Sequence, residues 1–369
     1  YASRGLGDVY KRQLLRRDEA LYEGQEFYAC ILDEAQAIKN HTTQKYKAVC
    51  KVRSRVRFAL TGTPVENRLG ELWSIFSFLM PGYLPPYKSF CSRFEKPIVQ
   101  EEDQTAVRRL NQLTGPFILR RMKSDVLKEL PPKTENVYRI ELEEEQRKLY
   151  LAAVVDAREK LQAAKPEDKM AVFAVLMRLR EICCDPRLIA DNWEGGSAKL
   201  DACAELVSSA VEGGHRILLF SQFTSMLELL AKRLDAEGIS HFTLQGSTPK
   251  PVRAELVRRF NGGEVSVFLI SLRAGGTGLN LTAADIVIHY DPWWNVAAQN
   301  QATDRAYRIG QQNPVQVYKL IAQDTIEEKI VELQQAKQSL ADTVTGTADG
   351  AILSMRPDEL LQLLEGSEP

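Results

Sequence analysis

Residues 216–244 read RILLFSQFTSMLELLAKRLDAEGISHFTL. Arg216 to Phe220 is an apolar run without polar alternation, which is how a strand covered on both faces reads. Ser225 to Glu237 repeats leucine at helical spacing, and His241 to Leu244 returns to an extended pattern. A strand, a helix and a second strand in close succession form a βαβ unit, whose strands run parallel. Working outward, Leu200 to Val211 and Pro251 to Phe260 read as helices, and Val265 to Ile270 and Asp285 to His289 as strands. This alternation predicts an α/β fold in which helices cover both faces of a parallel sheet.

A second region of the same character lies upstream. Tyr28 to Leu32 is a short apolar run that ends in acid at Asp33-Glu34, and Phe58 to Leu60 runs into Thr61-Gly-Thr-Pro64. A helix is expected from Leu69 to Met80, stopped by Pro81-Gly82. From Pro85 to Ala190 the pattern is mostly helical, punctuated by Pro131-Pro132 and Pro166; Glu141 to Lys160 reads as a solvated helical protrusion or linker. Gly195-Gly196-Ser197 reads as a hinge. Thr325 to Leu340 is expected to be a polar helix and Pro357 to Leu364 a short amphipathic one.

Composition narrows the function classes. The chain has 369 residues, 44% hydrophobic and 26% charged, which describes a globular protein large enough for two domains. No apolar run is long enough to span a membrane and no secretory signal is visible, so a cytoplasmic location is expected. A net charge of −1 excludes a basic nucleic-acid coat but not a local phosphate-binding face. The six cysteines lack metal-ligand spacing, and Cys183 beside Cys184 is a poor geometry for one metal; buried apolar residues are the simpler reading.

Four segments carry chemistry. Asp33-Glu34-Ala35-Gln36 sits at the carboxyl end of a strand, where open parallel sheets bind ligands. One carboxylate there can hold magnesium through its water shell while the other orients an attacking water, although Asp-Glu is also a common helix start. Thr61-Gly62-Thr63-Pro64 is either a helix-capping turn or a loop that couples nucleotide to nucleic acid. Ser271 to Asn280 follows a strand with three glycines that let backbone amides approach phosphate. Arg305 and Arg308, three apart, are expected on one helical face, where guanidinium groups can reach a triphosphate or remain merely solvated. Between them and the glycine loop, Asp291-Pro-Trp-Trp-Asn295 holds two adjacent tryptophans, and at least one is expected to face a groove or a moving lobe.

In this order, Asp33 to Asn40, Leu60 to Ser74, Ile217 to Thr224 and Ser271 to Gln311 closely resemble the later motifs of the SWI/SNF-type ATPases of helicase superfamily two. The similarity runs from about Leu14 to Gly366. It implies two RecA-like parallel-sheet lobes, the first incomplete here, with helical protrusions between them, that use ATP and Mg2+ to step along double-stranded DNA and remodel DNA-bound proteins. By position, Asp33 looks like the magnesium-organising carboxylate, Glu34 the catalytic one, and Arg305 and Arg308 the ATP-facing arginines, with Arg308 the finger. Gln36, Thr61, Thr63, Gly278 and Gln301 match cleft and coupling positions. Ser221, Gln222, Gln245, Gly246, Arg273, Thr277 and Trp294 match segments that meet the DNA backbone.

The resemblance predicts a C-terminal part of lobe one with a helical insertion at 14–135, a protrusion or linker at 136–196, lobe two at 197–335 and a C-terminal brace at 336–369. Residues 1–13 resemble translated adapter sequence and are expected to be non-native. Three positions depart from the usual family residues: Gln36 and Tyr307, each a frequent histidine, and Val296, a usual proline. Asp-Glu-Ala-Gln is itself shared by a bacterial and archaeal subgroup. The larger departure is that a Gly-Lys-Thr phosphate loop should precede Leu14, and the sequence contains none. The chain alone is therefore expected to hydrolyse ATP poorly, with apolar surface exposed in lobe one. A strand-separating or RNA-directed helicase, and a non-catalytic DNA- or partner-binding module from a truncated gene, are the competing readings.

Overall fold

The computed structural model describes residue 22 and residues 24–62, 69–101, 103–121, 126–127, 129–165, 168–190, 192–275, 278–334 and 357–365. The expected extension at 1–13 lies outside them, as does most of the expected C-terminal brace. The described residues divide into two compact units, one running up to Arg120 and the other from Arg121 onward.

In the first unit, β1 (Glu26–Leu32) and β2 (Arg53–Ala59) pair in parallel, with Ile31 opposite Phe58. The helix α1 (Gln44–Lys51) crosses between them, started by the Thr43 hydroxyl, which accepts the Tyr46 N–H at 3.3 Å. α2 (Leu69–Leu79), the short turns of Tyr87–Gln100 and α3 (Gln104–Thr114) close around Leu72, Phe76, Phe90, Phe94 and Leu110. Tyr28, Ile31, Phe58 and Leu60 nevertheless remain more than half exposed.

The second unit holds a six-stranded sheet of β3 (Lys133–Ile140), β4 (Ile217–Ser221), β5 (His241–Leu244), β6 (Val267–Ser271), β7 (Ile286–His289) and β8 (Val315–Ala322). Its spatial order is β3-β8-β7-β4-β6-β5 and every neighbouring pair is parallel. The apolar runs that suggested two-sided strands lie at its centre: β4, β6 and β7 are buried at every position. Alternate residues serve opposite faces. Ile217 and Leu219 pack with α6 (Ala198–Glu212) and α7 (Thr224–Ala236), whereas Leu218 and Phe220 pack with Phe260 of α8 (Lys250–Asn261) and Ala302 of α9 (Val296–Thr303). The expected α/β architecture, parallel strands flanked by helices, is what the chain adopts.

Two strands depart from the sequence reading. β3 falls in the stretch expected to be helical, so the expected boundary at 135/136 lies inside a strand, and β8 had no assignment. β3 is exposed along nearly its whole length and takes its ladder from β8, with Lys133 opposite Val315 and Ile140 opposite Ala322. Neither a buried face nor a nearby partner marks such an edge strand locally. Residues 136–196 also carry α4 (Glu144–Ala163) and α5 (Lys169–Cys184). Their apolar faces bury Tyr150, Val154 and Leu179 against Ala322, against Ile326 and Ile330 of α10 (326–334), and against Leu360 and Leu364 of α11 (Pro357–Glu365). The helices expected as a protrusion thus form a layer of the second unit's core.

Across the β3–β8 edge, Glu135 accepts from Lys133 Nζ at 2.6 Å and Lys319 Nζ at 2.7 Å. Burial alone raises a carboxyl pKa, but the two lysines outweigh it and lower Glu135 to about 2. A depressed folded-state pKa gives stability that is present above the ordinary value of 4.5 and is lost as the pH falls towards about 2. Glu135→Gln is therefore expected to lower the melting temperature at neutral pH. The gap to the unsubstituted protein should narrow as the pH falls below 4.5, and a gap independent of pH would contradict the assignment.

Candidate functional site

β1 delivers Asp33 and Glu34 to its carboxyl end, as the apolar run followed by acid predicts. The chain turns sharply there: Glu34 has φ 53° and ψ 54°, left-handed values that non-glycine residues adopt at a cost of roughly 1–2 kcal/mol. Several bonds hold the turn. The Glu34 N–H donates to Asp33 Oδ1 at 2.9 Å, and the Ala35 N–H to the Leu60 carbonyl at 2.9 Å. Gln36 Nε2 donates to Glu34 Oε2 at 2.5 Å, while Gln36 Oε1 accepts from the Thr61 hydroxyl at 2.9 Å. The amide of Gln36 therefore bridges the acidic pair to the threonine turn after β2. Its direction is fixed by chemistry, since a carboxylate can only accept and a hydroxyl can donate.

Asp33 is exposed, and its Oδ2 has no hydrogen bond among the described residues. An exposed, uncommitted carboxylate oxygen fits an outer ligand of hydrated magnesium. Glu34 is half-buried, and the Gln36 amide orients its carboxylate. Thr63 lies outside the described residues.

In the second unit, β6 leads through a short turn at Leu272–Gly275 into the glycine loop. Gly275 is needed for packing, because a Cβ there would meet Phe220 Cε1 at 2.9 Å. Gly278 has φ 46° and open space around it. Thr277 and the side chain of Arg273 lie outside the described residues. Arg305 and Arg308 do not ride on a helical face: α9 ends at Thr303 and both arginines sit in the turns beyond it. The helix is cut off because the Arg305 carbonyl accepts from Leu281 N–H at 3.0 Å and Gly310 turns the chain at φ 102°. Their side chains still converge on one feature. Arg305 Nε donates to the Gly275 carbonyl at 2.9 Å and Arg308 Nη1 to the Leu279 carbonyl at 3.1 Å, at the two ends of the glycine loop. Arg305 is buried and Arg308 half-buried. Gln301 is a half-buried residue of α9.

Two further turns hold residues expected at DNA. Arg253 clamps the turn after β5, donating through Nη2 to the carbonyls of Gln245 at 3.1 Å and Gly246 at 2.8 Å and through Nε to that of Thr248 at 2.8 Å. Gly246 and Ser247 are left exposed. The turn after β4 is arranged differently. Ser221 is buried and donates its hydroxyl to Asp291 Oδ1 at 2.6 Å; the Gln222 N–H donates to the same carboxylate at 3.2 Å. Trp294, expected in a segment that meets DNA, is only 3% exposed and lies under the buried guanidinium of Arg180, while Trp293 is half-buried. The tryptophans are thus packing partners of a remote cation. Asp291, Arg180 and Arg253 have no assigned role in the sequence reading; an arginine on the apolar face of KMAVFAVLMRLREICC is the signal that could have found one of them.

Among the described residues no group of histidine, cysteine and carboxylate side chains is placed to hold a metal, and no helix is long and apolar enough to cross a membrane. Cys183, Cys184 and Cys203 are buried, and burial pushes the Cys203 thiol up to about 12, so they act as core residues.

Comparison with known proteins identifies the family. Residues 10–188 match the SNF2-related domain, and residues 198–310 match the helicase conserved C-terminal domain. The chain is 40% identical over 378 aligned residues to an uncharacterized ATP-dependent helicase of Mycoplasma pneumoniae, with 98% of this chain and 36% of that protein covered. It is 41% identical over 341 residues to the putative ATP-dependent helicase/translocase YwqA of Bacillus subtilis, covering 90% of this chain and 37% of the relative. The chain therefore spans little more than a third of the length of these relatives. Among solved structures, the Sulfolobus solfataricus SWI2/SNF2 ATPase core in complex with double-stranded DNA is 34% identical, with a TM-score of 0.54; 95% of this chain and 75% of that one are covered.

The Gln36 bridge can be measured by denaturant unfolding. Gln36→Leu and Thr61→Val are each expected to cost about 1 kcal/mol, and the double substitution less than their sum. Strict additivity would contradict a shared bond.

Proposed function

Since the chain belongs to the SWI/SNF family of ATP-dependent helicases, we propose that it forms the hydrolytic and DNA-engaging part of an ATP-driven motor that tracks along double-stranded DNA and remodels protein–DNA complexes. The observation that carries the reading is the oriented carboxylate: Glu34, held in a strained turn and fixed by Gln36 at 2.5 Å.

Glu34 is the group that orients and deprotonates the attacking water. Asp33 would hold magnesium through water, and the ion, when bound, neutralises charge on the β- and γ-phosphates. Gln36 and Thr61 transmit the state of the carboxylate to the turn after β2, and Thr63 completes that turn. In the second unit Arg308 is the finger. It is half-buried with one bond to the Leu279 carbonyl, whereas Arg305 is buried against the Gly275 carbonyl and holds the loop. An arginine that meets the transition state can raise the rate by about a thousandfold or more. Gln301 and Gly278 belong to the same ATP-facing surface.

The duplex is met by backbone-reading contacts from Gln222, Gln245, Gly246, Arg273 and Thr277, which position DNA and carry little sequence information. The exposed turn at Gly246 and Ser247, held from below by Arg253, supports this surface. Ser221 and Trp294 contribute from the buried side. Double-stranded DNA is favoured over a separated strand or RNA because the solved relative of 34% identity is described as a complex with duplex DNA.

The 369 residues contain no Gly-Lys-Ser/Thr phosphate loop, so the chain by itself is proposed to turn over ATP slowly and to act as a DNA- or partner-binding module until that loop is supplied. The test is ATP turnover, with and without duplex DNA, by the chain from Leu14 fused behind the phosphate-loop segment of the Bacillus subtilis relative. Duplex-stimulated turnover is expected, falling about a hundredfold or more in Glu34→Gln, with the unfused chain near background. A folded fusion without turnover would leave the binding module as the better reading, and equal turnover by the unfused chain would overturn the requirement for the loop.

A further inference from the structure

Arg180 is completely buried on α5, and none of the chemistry above uses it directly. A guanidinium removed from water needs compensation for its lost hydration. Its Nη2 donates to Asp291 Oδ2 at 3.1 Å and to the Pro292 carbonyl at 2.6 Å. Nε and Nη1 meet no hydrogen-bond acceptor among the described residues. They lie instead within a wall of rings, with Cζ 4.5 Å from the Trp294 centroid, 5.5 Å from Phe223 and 5.9 Å from Trp293. The flat cation is therefore oriented by stacking as much as by hydrogen bonding.

These partners come from two separate stretches of chain. Asp291 accepts the Ser221 hydroxyl and the Gln222 N–H, so the turn after β4 and the Trp-Trp segment after β7 share one carboxylate, with Arg180 as its counter-ion. α5 adds two contacts from the same face. Met177 Sδ accepts from Gln222 Nε2 at 3.7 Å, and the Phe173 ring lies 5.9 Å from that of Trp294. Positions 173, 177 and 180 have the spacing of a single helical stripe. One helix face thus grips both turns from beneath.

We propose that Arg180 is a positioning residue for duplex engagement: acting through Asp291 and Trp294, it sets the relative placement of the turn after β4 and the Trp-Trp segment. The inference rests on the duplex-binding reading above. Arg180 has no exposed surface with which to meet a phosphate itself. A lysine would keep the charge, but as a point charge without a planar fork it cannot hold Asp291, Pro292 and the ring faces together.

The test is Arg180→Lys in this chain, with two readouts. Binding of a fluorescent blunt duplex, followed by anisotropy over a salt series, is expected to weaken about tenfold. The slope of log Kd against log salt should stay the same, because no phosphate contact is lost. Tryptophan emission is expected to shift to the red, and the shift should vanish when the substitution is made in a Trp294→Phe background. Unchanged affinity, unchanged Trp294 emission, or a slope shallower by about one, the mark of a direct phosphate contact, would each overturn the proposal. If Arg180→Lys does not fold, Arg180→Met with Asp291→Asn removes both charges and keeps the bulk. Weakened binding at unchanged slope then supports the proposal, and unaltered affinity overturns it. If the unsubstituted chain binds no duplex, the duplex reading fails and the duplex role of Arg180 with it; the emission pair still reports separately whether Arg180 sets Trp294.

Discussion

Two ion pairs without solvent exposure at either side chain organise the second unit: Arg180 with Asp291, and Lys199 with Glu327. Burying a charge is expensive, and removing one partner of such a pair costs about 3–5 kcal/mol because the other is left unpaired. That is a large share of the roughly 5–15 kcal/mol by which a domain is stable. Burial works against the charge of Lys199, yet the Glu327 carboxylate holds its pKa above the ordinary lysine value. Glu327 also accepts the Ala322 N–H at 2.9 Å, at the end of β8. Each pair ties a helix that precedes the sheet's central strands to the carboxyl end of a strand. The α4–α5 layer, the start of α6 and the ends of β7 and β8 are consequently one packed structure. The turn after β4 and the Trp-Trp segment, which carry Ser221, Gln222 and Trp294, inherit their placement from it.

The parts of this arrangement that depend on local pattern were legible in the sequence. The uninterrupted apolar runs of β4, β6 and β7 announce strands covered on both faces, and the apolar run that ends in Asp33-Glu34 announces β1 and the turn at its carboxyl end. What depends on remote partners was not. β3 is a strand because β8, far along the chain, completes its ladder, and its own residues are almost all exposed. The three-residue spacing of Arg305 and Arg308 suggested a helix, but the Leu281 N–H captures the Arg305 carbonyl and ends it. Nothing local marks which of the adjacent tryptophans is buried: a guanidinium from another helix covers Trp294, and Trp293 stays half-buried. In each case a tertiary contact overrides a periodicity that is sound in isolation.

The candidate site shows the same division. The identity of the acidic pair is a matter of motif, but its arrangement rests on geometry that no motif states. Glu34 adopts a left-handed backbone, and the Gln36 amide spans from its carboxylate to Thr61. In the second unit the buried histidine of β7 performs a comparable service. His289 Nε2 lies 2.9 Å from the Thr303 hydroxyl at the end of α9, and burial, reinforced by Lys319, lowers its pKa to about 3. It stays neutral throughout the physiological range and anchors the turn that carries the two arginines without adding charge to it.

Hydrolysis of ATP in the presence of DNA does not separate a motor that follows an unopened duplex from one that parts its strands. Release of a labelled third strand from a triplex by the fused protein makes that distinction most directly. ATP-dependent release of the third strand with the underlying duplex intact is the expected result. Separation of the duplex strands, or retention of the third strand despite DNA-stimulated turnover, would contradict movement along double-stranded DNA.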